Sequence, residues 1–195
     1  RMGIRRKSEP VTAEIIIDGY CNRVLREKVQ NRVYPNIYLG KWEADILEIT
    51  KAGYLYEFEV KISRRDFKID ASKTETYGRR RRKYDVLKAG ERVNYFSYIV
   101  PEGLIAPEEV PEWAGLIYAR SYKARVCVGF DPAGEPIFEE QISVSLSTVK
   151  DPVKLRQGKI TPQEESEIQK KLYFRFHKIR CKLIGQKLVT PFGIS

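Results

Sequence analysis

Three side chains carry the clearest chemistry in this chain: Asp45, Glu59 and Lys61, within the run EADILEITKAGYLYEFEVKISRRDFKID over residues 43–70. Two converging carboxylates can hold a hard divalent cation through oxygen, and a lysine beside them adds a compact positive charge for an oxyanion. Convergence has to come from the backbone. Residues 44–49 and 54–60 are rich in β-branched and aromatic side chains, and Lys51-Ala52-Gly53 between them is a short connection ending in glycine, which predicts a hairpin. A turn centred on Ala52 sets Asp45 directly opposite Glu59, with Cβ atoms about 4.5–5.5 Å apart. Facing carboxylates repel, so the pair adds nothing to the fold unless a cation such as Mg²⁺ bridges them. The two-residue period of the second strand puts Glu57, Glu59 and Lys61 on one face and Phe58, Val60 and Ile62 on the other. Glu57 is either a reserve ligand or a solvent-facing strand residue.

The elements around this hairpin are legible from capping residues and periodicity. Residues 12–30 read as a helix with Thr12 as N-cap and Ile16, Ile17, Tyr20, Val24 and Leu25 on one face. Glu14 lies in its first turn, where the helix dipole favours an acid in any case. After the hairpin, Ser63 is an N-cap with Asp66 at capping-box spacing, which predicts a helix reaching about Arg81. Asp66, Asp70, Lys73 and Tyr77 recur on one face of it; they either serve the site or lace an exposed helix with ion pairs. Arg79-Arg80-Arg81-Arg82-Lys83 follows, a run that is solvated or neutralised by a partner.

Residues 93–100 (VNYFSYIV) read as a buried central strand, and residues 114–119, 125–130 and 136–147 as further strands. Residues 151–158 read as a loop. Thr161-Pro162-Gln163-Glu164 then starts a helix whose apolar stripe is Ile168, Leu172, Phe176, Ile179 and Leu183, with Gly185 as its stop. The other faces carry Lys170, Lys171, Arg175, Lys178, Arg180 and Lys182, and the helix is expected to pack on the core.

Composition bounds the rest. The chain has 195 residues, 42% of them hydrophobic, enough for a real core in one domain with appendages. A formal charge of +10 favours a polyanionic partner, most simply nucleic acid. Cys21, Cys127 and Cys181 are odd in number and lack CxxC spacing, so neither a disulfide framework nor a zinc site is expected, and a reducing cytoplasm is the default. A lone His177 argues against Ser-His-Asp and HExxH chemistry. No apolar run approaches the roughly 20 residues of a membrane span and no signal-peptide core is visible, so no membrane partner is expected. The absence of a Gly-rich phosphate loop argues against an NTPase.

Asp45 followed by Glu59-Val60-Lys61 resembles the PD-(D/E)xK nuclease superfamily, whose pattern is an acid, a variable gap, then Asp or Glu, any residue, and Lys. Ala44 stands where that family often has proline. The longer run Glu59 to Phe67, then Asp70, Lys73, Asn94-Tyr95-Phe96 and Val100-Pro101, is similar to the MmcB-like branch of DNA-repair and phage proteins. The resemblance implies an α/β restriction-endonuclease-like fold, a mixed sheet flanked by helices. It implies a Mg²⁺ site (Mn²⁺ as substitute) held by Asp45, Glu59 and the Val60 carbonyl, with Lys61 orienting or deprotonating water or stabilising the phosphorane. It adds Glu14 as a possible further acid, and Lys73 and Tyr77, at the spacing of a Gln and Tyr in RecB-type relatives, as phosphate contacts.

The expected organisation is a basic N-terminal segment over residues 1–11, a nuclease core over 12–150, and a linker with a basic C-terminal helix over 151–195. Expected nucleic-acid contacts are Arg64, Arg65, Lys73, Arg79, Arg80, Arg81, Arg82 and Lys83, with DNA placed ahead of RNA. The expected function is metal-dependent DNA hydrolysis in DNA repair or in phage or mobile-element DNA processing. The alternatives are a non-catalytic nucleic-acid-binding module on the same fold and a structural or assembly protein. A homodimer would suit cutting of both strands, but nothing in the sequence demands it.

Overall fold

Thr12 opens the first helix: its hydroxyl accepts a hydrogen bond from the Ile15 amide at 3.3 Å, and α1 spans Ala13–Glu27. The structure is a computed structural model that describes residues 11–39, 42–70, 81–184, 189–190 and 193–194. Strand β1 (Arg32–Leu39) pairs antiparallel with β2 (Trp42–Ile49), which pairs antiparallel with β3 (Leu55–Val60). The β2–β3 hairpin takes the predicted register: Ile46 faces Phe58, Leu47 faces Glu57, Glu48 faces Tyr56 and Ile49 faces Leu55. Gly53 supplies the left-handed turn residue at φ 83°.

Helices α2 (Arg64–Asp70) and α3 (Lys83–Lys88) lie between β3 and β4 (Tyr95–Pro101), and so long a crossover returns β4 parallel to β3. A second crossover, containing the 3₁₀ turn Pro107–Glu109, brings β5 (Gly115–Phe130) parallel to β4. Strand β6 (Pro136–Lys150) closes a long hairpin on β5 through a tight turn, where Asp131 Oδ1 accepts from the amides of Ala133 and Glu135 at 2.9 and 2.8 Å. The result is one six-stranded mixed sheet in the order β1-β2-β3-β4-β5-β6, flanked by helices, with α4 (Pro162–Leu183) at the C-terminal side. This is the mixed α/β architecture expected from the sequence.

The two faces of the sheet carry different cores. On one, Ile16, Ile17, Tyr20 and Val24 of α1 meet Ile46, Phe58, Val60 and Ile99. On the other, Leu47, Leu55, Phe96, Tyr98 and Leu116 meet Leu87 of α3, Trp113 and Ile168 of α4. The period of two assigns Asp45, Glu57, Glu59 and Lys61 to this second face. Residues 151–158 are irregular, as expected, and with residues 159–160 strap α4 to the core: the Asn94 side chain donates to the carbonyls of Arg156 and Gly158 at 2.7 and 2.6 Å.

Several expectations need correction. Leu25 is exposed, because α1 turns it away from the sheet. Strand β1 was not anticipated: Pro35 and Asn36 interrupt its pattern, and Asn36 takes a left-handed φ of 48°. The helix expected to reach Arg81 does not do so: Arg81 and Arg82 are non-helical and Lys83 begins a separate helix, while residues 71–80 lie outside the described residues. Residues 115–130 form one continuous strand rather than two. The start of α4 is as predicted, with Thr161 and Glu164 in a reciprocal capping box. Its apolar stripe, however, packs on the core only in part. Ile168 is buried, but Leu172, Phe176, Ile179 and Leu183 are exposed, and Gly185 lies outside the described residues. No helix among the described residues is long and apolar enough to cross a membrane.

Candidate active site

Asp45 sits where both neighbouring ladders loosen. On the β1 side, Pro35 pairs with Ile46 and Ile37 with Ala44, which leaves Asn36 opposite Asp45. On the β3 side, the register that ends at Ile46–Phe58 sets Glu59 across from it. The Val60 amide donates to Asp45 Oδ2 at 2.7 Å, so a side-chain carboxylate stands in for a strand carbonyl. Burial, then the charge of Glu59, pushes the Asp45 carboxyl up to about 6, against the opposing pull of the Val60 amide, Lys61 and Lys83.

Glu59 is buried and lies between two ammonium groups. Lys61 Nζ donates to its Oε2 at 2.7 Å. Lys83 Nζ lies 2.7 Å from its Oε1, yet no hydrogen bond is directed at that oxygen, so this contact is Coulombic. Burial works to raise the Glu59 carboxyl, but Lys83 and Lys61 outweigh it and hold the group below its ordinary value. Burial likewise works to lower the Lys61 ammonium, and Glu59 and Asp70 reverse it, so Lys61 stays charged well beyond the usual lysine range.

Asp70, the last residue of α2, completes the cluster. It is fully buried, accepts from the Tyr98 hydroxyl at 2.9 Å, and has Lys61 Nζ at 3.4 Å and Lys83 Nζ at 3.4 and 3.5 Å from its two oxygens. Tyr84 and Tyr98 share a hydroxyl–hydroxyl hydrogen bond of 2.5 Å behind it. Burial, then the charge of Asp70, raises the Tyr98 hydroxyl far beyond its ordinary value, so it remains a donor. Lys83 also lies over the Phe96 ring, 5.1 Å from its centroid. Three carboxylates and two ammoniums thus share one side of the sheet.

Glu57, two residues before Glu59 on the same face, has a different fate. It is completely buried rather than solvent-facing, paired with Arg92 Nε and accepting from Trp42 Nε1 at 3.1 Å. The Arg92 guanidinium lies 3.9 Å from the Trp42 ring centroid and also donates to the Leu39 carbonyl. Glu57 is therefore a structural ion-pair member and leaves the ligand list. Glu14 leaves it too: it is exposed in the first turn of α1, on the opposite face of the sheet from Glu59, and its own backbone amide and Thr12 hold its carboxyl low.

The expected nucleic-acid contacts divide. Arg65 and Arg82 are exposed. Arg64 is exposed and forms a two-pronged ion pair with Glu109 at 2.7 and 2.9 Å, and Arg81 does the same with Glu91 at 2.8 and 2.7 Å. Lys83 cannot be a surface contact, because it is about 1% exposed and points into the carboxylate cluster. Lys73, Tyr77, Arg79 and Arg80 lie outside the described residues. The sequence reading missed Lys83 and the burial of Asp70. One signal was available: Lys83, Val86 and Leu87 stand at i, i+3 and i+4, the inward face of a short helix.

Among the described residues, no three of His, Cys, Asp and Glu converge as metal ligands. The donors that fit a cation are those of a two-carboxylate site: Asp45, Glu59 and the Val60 carbonyl, all hard oxygens suited to Mg²⁺. Glu59 Oε1, buried without a directed hydrogen bond, is the best-prepared of them.

No protein-family model matches the chain, and no curated protein matches it. Among solved structures it is similar to the SPO1766 protein of unknown function from Silicibacter pomeroyi, at a TM-score of 0.54 and 14% identity over 91% of this chain and 93% of that one. A likeness at that identity shows a shared fold and nothing of the chemistry, which rests on the residues themselves.

Proposed function

We propose that this chain is a metal-dependent nuclease of the PD-(D/E)xK type that hydrolyses phosphodiester bonds of DNA. The observation that carries the reading is the convergence of Asp45, Glu59 and the Lys61 ammonium on one face of a hairpin whose register is set by Gly53. Neither the Asp45–Glu59 juxtaposition nor the raised Asp45 carboxyl helps the fold, and a site that destabilises the charged form of one of its ligands suits a bound cation. Asp45, Glu59 and the Val60 carbonyl would hold Mg²⁺ or Mn²⁺, and the chemistry such an ion would supply is polarisation of the scissile phosphate and a lowered pKa of the attacking water.

Glu59 and Asp70 favour the ammonium form of Lys61, which suits it to donate rather than to take a proton. It donates to the oxygens that gain charge as the phosphorane forms, and Glu59 Oε2 fixes its direction. The net charge of +10 and the exposed Arg65 and Arg82 supply attraction for the polyanion. A place in DNA repair or phage DNA processing follows from the resemblance alone. A second reading, a binding module that has lost turnover, is favoured by the ammonium beside each oxygen of Glu59.

Incubation of circular and linear, single- and double-stranded DNA with Mg²⁺, Mn²⁺ or EDTA tests both. Wild type is expected to cut only with metal, and Lys61→Ala to cut at least about 100-fold more slowly. Equal cutting by the two preparations would mean a contaminant. Tight, salt-sensitive binding by both proteins with no cutting in any metal would move the binding module ahead.

A further inference from the structure

Lys83 and Asp70 are the charged side chains of the cluster that the proposed chemistry does not use, and the position of Lys83 is unusual in three respects. It is buried, although its neighbours Arg81 and Arg82 in the basic run are exposed. It approaches the oxygen of Glu59 that Lys61 leaves free, at 2.7 Å, without aiming a hydrogen bond at it. It is also within 3.4 and 3.5 Å of both oxygens of Asp70, a carboxylate held in place by Tyr98.

We propose that Lys83 is a tethered competitor for the divalent cation. It occupies Glu59 Oε1 until a cation arrives, and then moves fully onto Asp70. The inference rests on the nuclease reading, since it takes Glu59 as a cation ligand. A cation at about 2.0–2.1 Å and an ammonium at hydrogen-bonding distance seek the same lone pairs of one oxygen. The Coulombic contact at Oε1 is the easier of the two Glu59 ion pairs to exchange, because Lys61 has a directed hydrogen bond to Oε2. Asp70 gives the displaced ammonium a buried counter-charge already 3.4 Å from its present position, so the exchange needs no exit to solvent. Asp70 and Lys83 act together as a reservoir that keeps Glu59 neutralised at low cation concentration.

Simple removal of Lys83 would change the net charge of the cluster and leave Asp70 buried against fewer cations. The deciding variant is therefore the double substitution Lys83→Met with Asp70→Asn, which removes one positive and one negative charge together. Mn²⁺ binding to the full chain is read by titration calorimetry and by loss of the free-ion paramagnetic signal, with circular dichroism confirming the fold. A competitor predicts that the double variant binds Mn²⁺ at least about tenfold more tightly than wild type, because Glu59 Oε1 is released at constant net charge. Wild-type binding with an unchanged or weaker affinity in the double variant overturns the competitor role and leaves the nuclease reading intact. Absence of Mn²⁺ binding in both proteins overturns the two together. If the double variant does not fold, Lys83→Gln is compared with Lys61→Gln, which removes the same charge from the other oxygen of Glu59: a larger gain in Mn²⁺ affinity is expected for Lys83→Gln, and equal affinities refute the exchange.

Discussion

Asp45→Asn is expected to abolish metal-dependent cleavage and to raise stability in the same protein. The amide keeps an oxygen for the Val60 amide to donate to, so the local hydrogen bond survives. What disappears is a half-buried negative charge facing Glu59. The Asp45 carboxyl stands at about 6 against an ordinary value of 3.8, the opposite of a stabilising carboxylate. Below the ordinary value the group is protonated in both folded and unfolded chains and its ionisation costs nothing. Between that value and about 6 the folded chain holds a proton that the unfolded chain has lost, so its contribution to stability falls as pH rises. Above about 6 the cost is complete. Two pH units of separation correspond to at most about 3 kcal/mol, and solvent at a half-buried site reduces this to about 1–2 kcal/mol. The variant should melt about 2–6 °C higher at pH 8 and about level with wild type near pH 4, while cleavage falls at least about 100-fold. Thermal unfolding across that pH range, alongside a cleavage assay, checks both halves. A variant less stable than wild type at pH 8 would show that the Asp45 charge supports the fold.

Arg92→Ala should produce the largest loss of stability in the molecule while leaving the cation site chemically intact. Arg92 neutralises Glu57 inside the core, stacks on Trp42 and donates to the Leu39 carbonyl, tying β1, β2 and β3 together. Its removal leaves a fully buried carboxylate with only the Trp42 indole as donor among the contacts described. Breaking a buried pair from one side costs about 3–5 kcal/mol, which for a chain of this size is a fall of about 10 °C in Tm. The combined Glu57→Gln, Arg92→Met variant should recover much of that loss, because neither partner is then charged. Urea unfolding of the three proteins measures it, and a loss below about 1 kcal/mol in the single variant would mean that Glu57 is neutralised by something else. Mn²⁺ affinity should stay near wild type in the double variant, which separates Glu57 from Glu59 by experiment.

These two carboxylates also show how far the sequence could be read. Local geometry was accessible: the turn at Lys51-Ala52-Gly53 is short enough to dictate register, and register dictates that Asp45 faces Glu59. The caps at Thr12, Ser63 and Thr161 were equally readable, because each is settled within four residues of chain. Alternation placed Glu57, Glu59 and Lys61 on one face but could not tell whether that face meets water or core. That depends on α2, α3 and Arg92, which come from further along the chain. For the same reason Lys83 looked like one more cation in a solvated run. Its burial is decided by Glu59 and Asp70, to which its spacing bears no simple relation. The stripe of α4 is the converse case, a strong amphipathic period whose members Leu172, Phe176, Ile179 and Leu183 are exposed.

The hairpin of β5 and β6 has a consequence for how the molecule opens. Its strands of 16 and 15 residues extend about 50 Å, and only the first third of β5, around Ile117 and Ala119, and the facing last third of β6 pack against the core. Beyond Tyr122 on β5 and before Ser143 on β6, few side chains are better than half-buried on either face. A two-stranded ribbon without a covering layer is marginally stable in water. The distal amides should therefore exchange with solvent deuterium through local fraying, orders of magnitude faster than those of β3 and β4, whose release requires global unfolding. That outcome would divide the protein into two thermodynamic units joined by continuous strands. The proposed site belongs wholly to the slow-exchanging one.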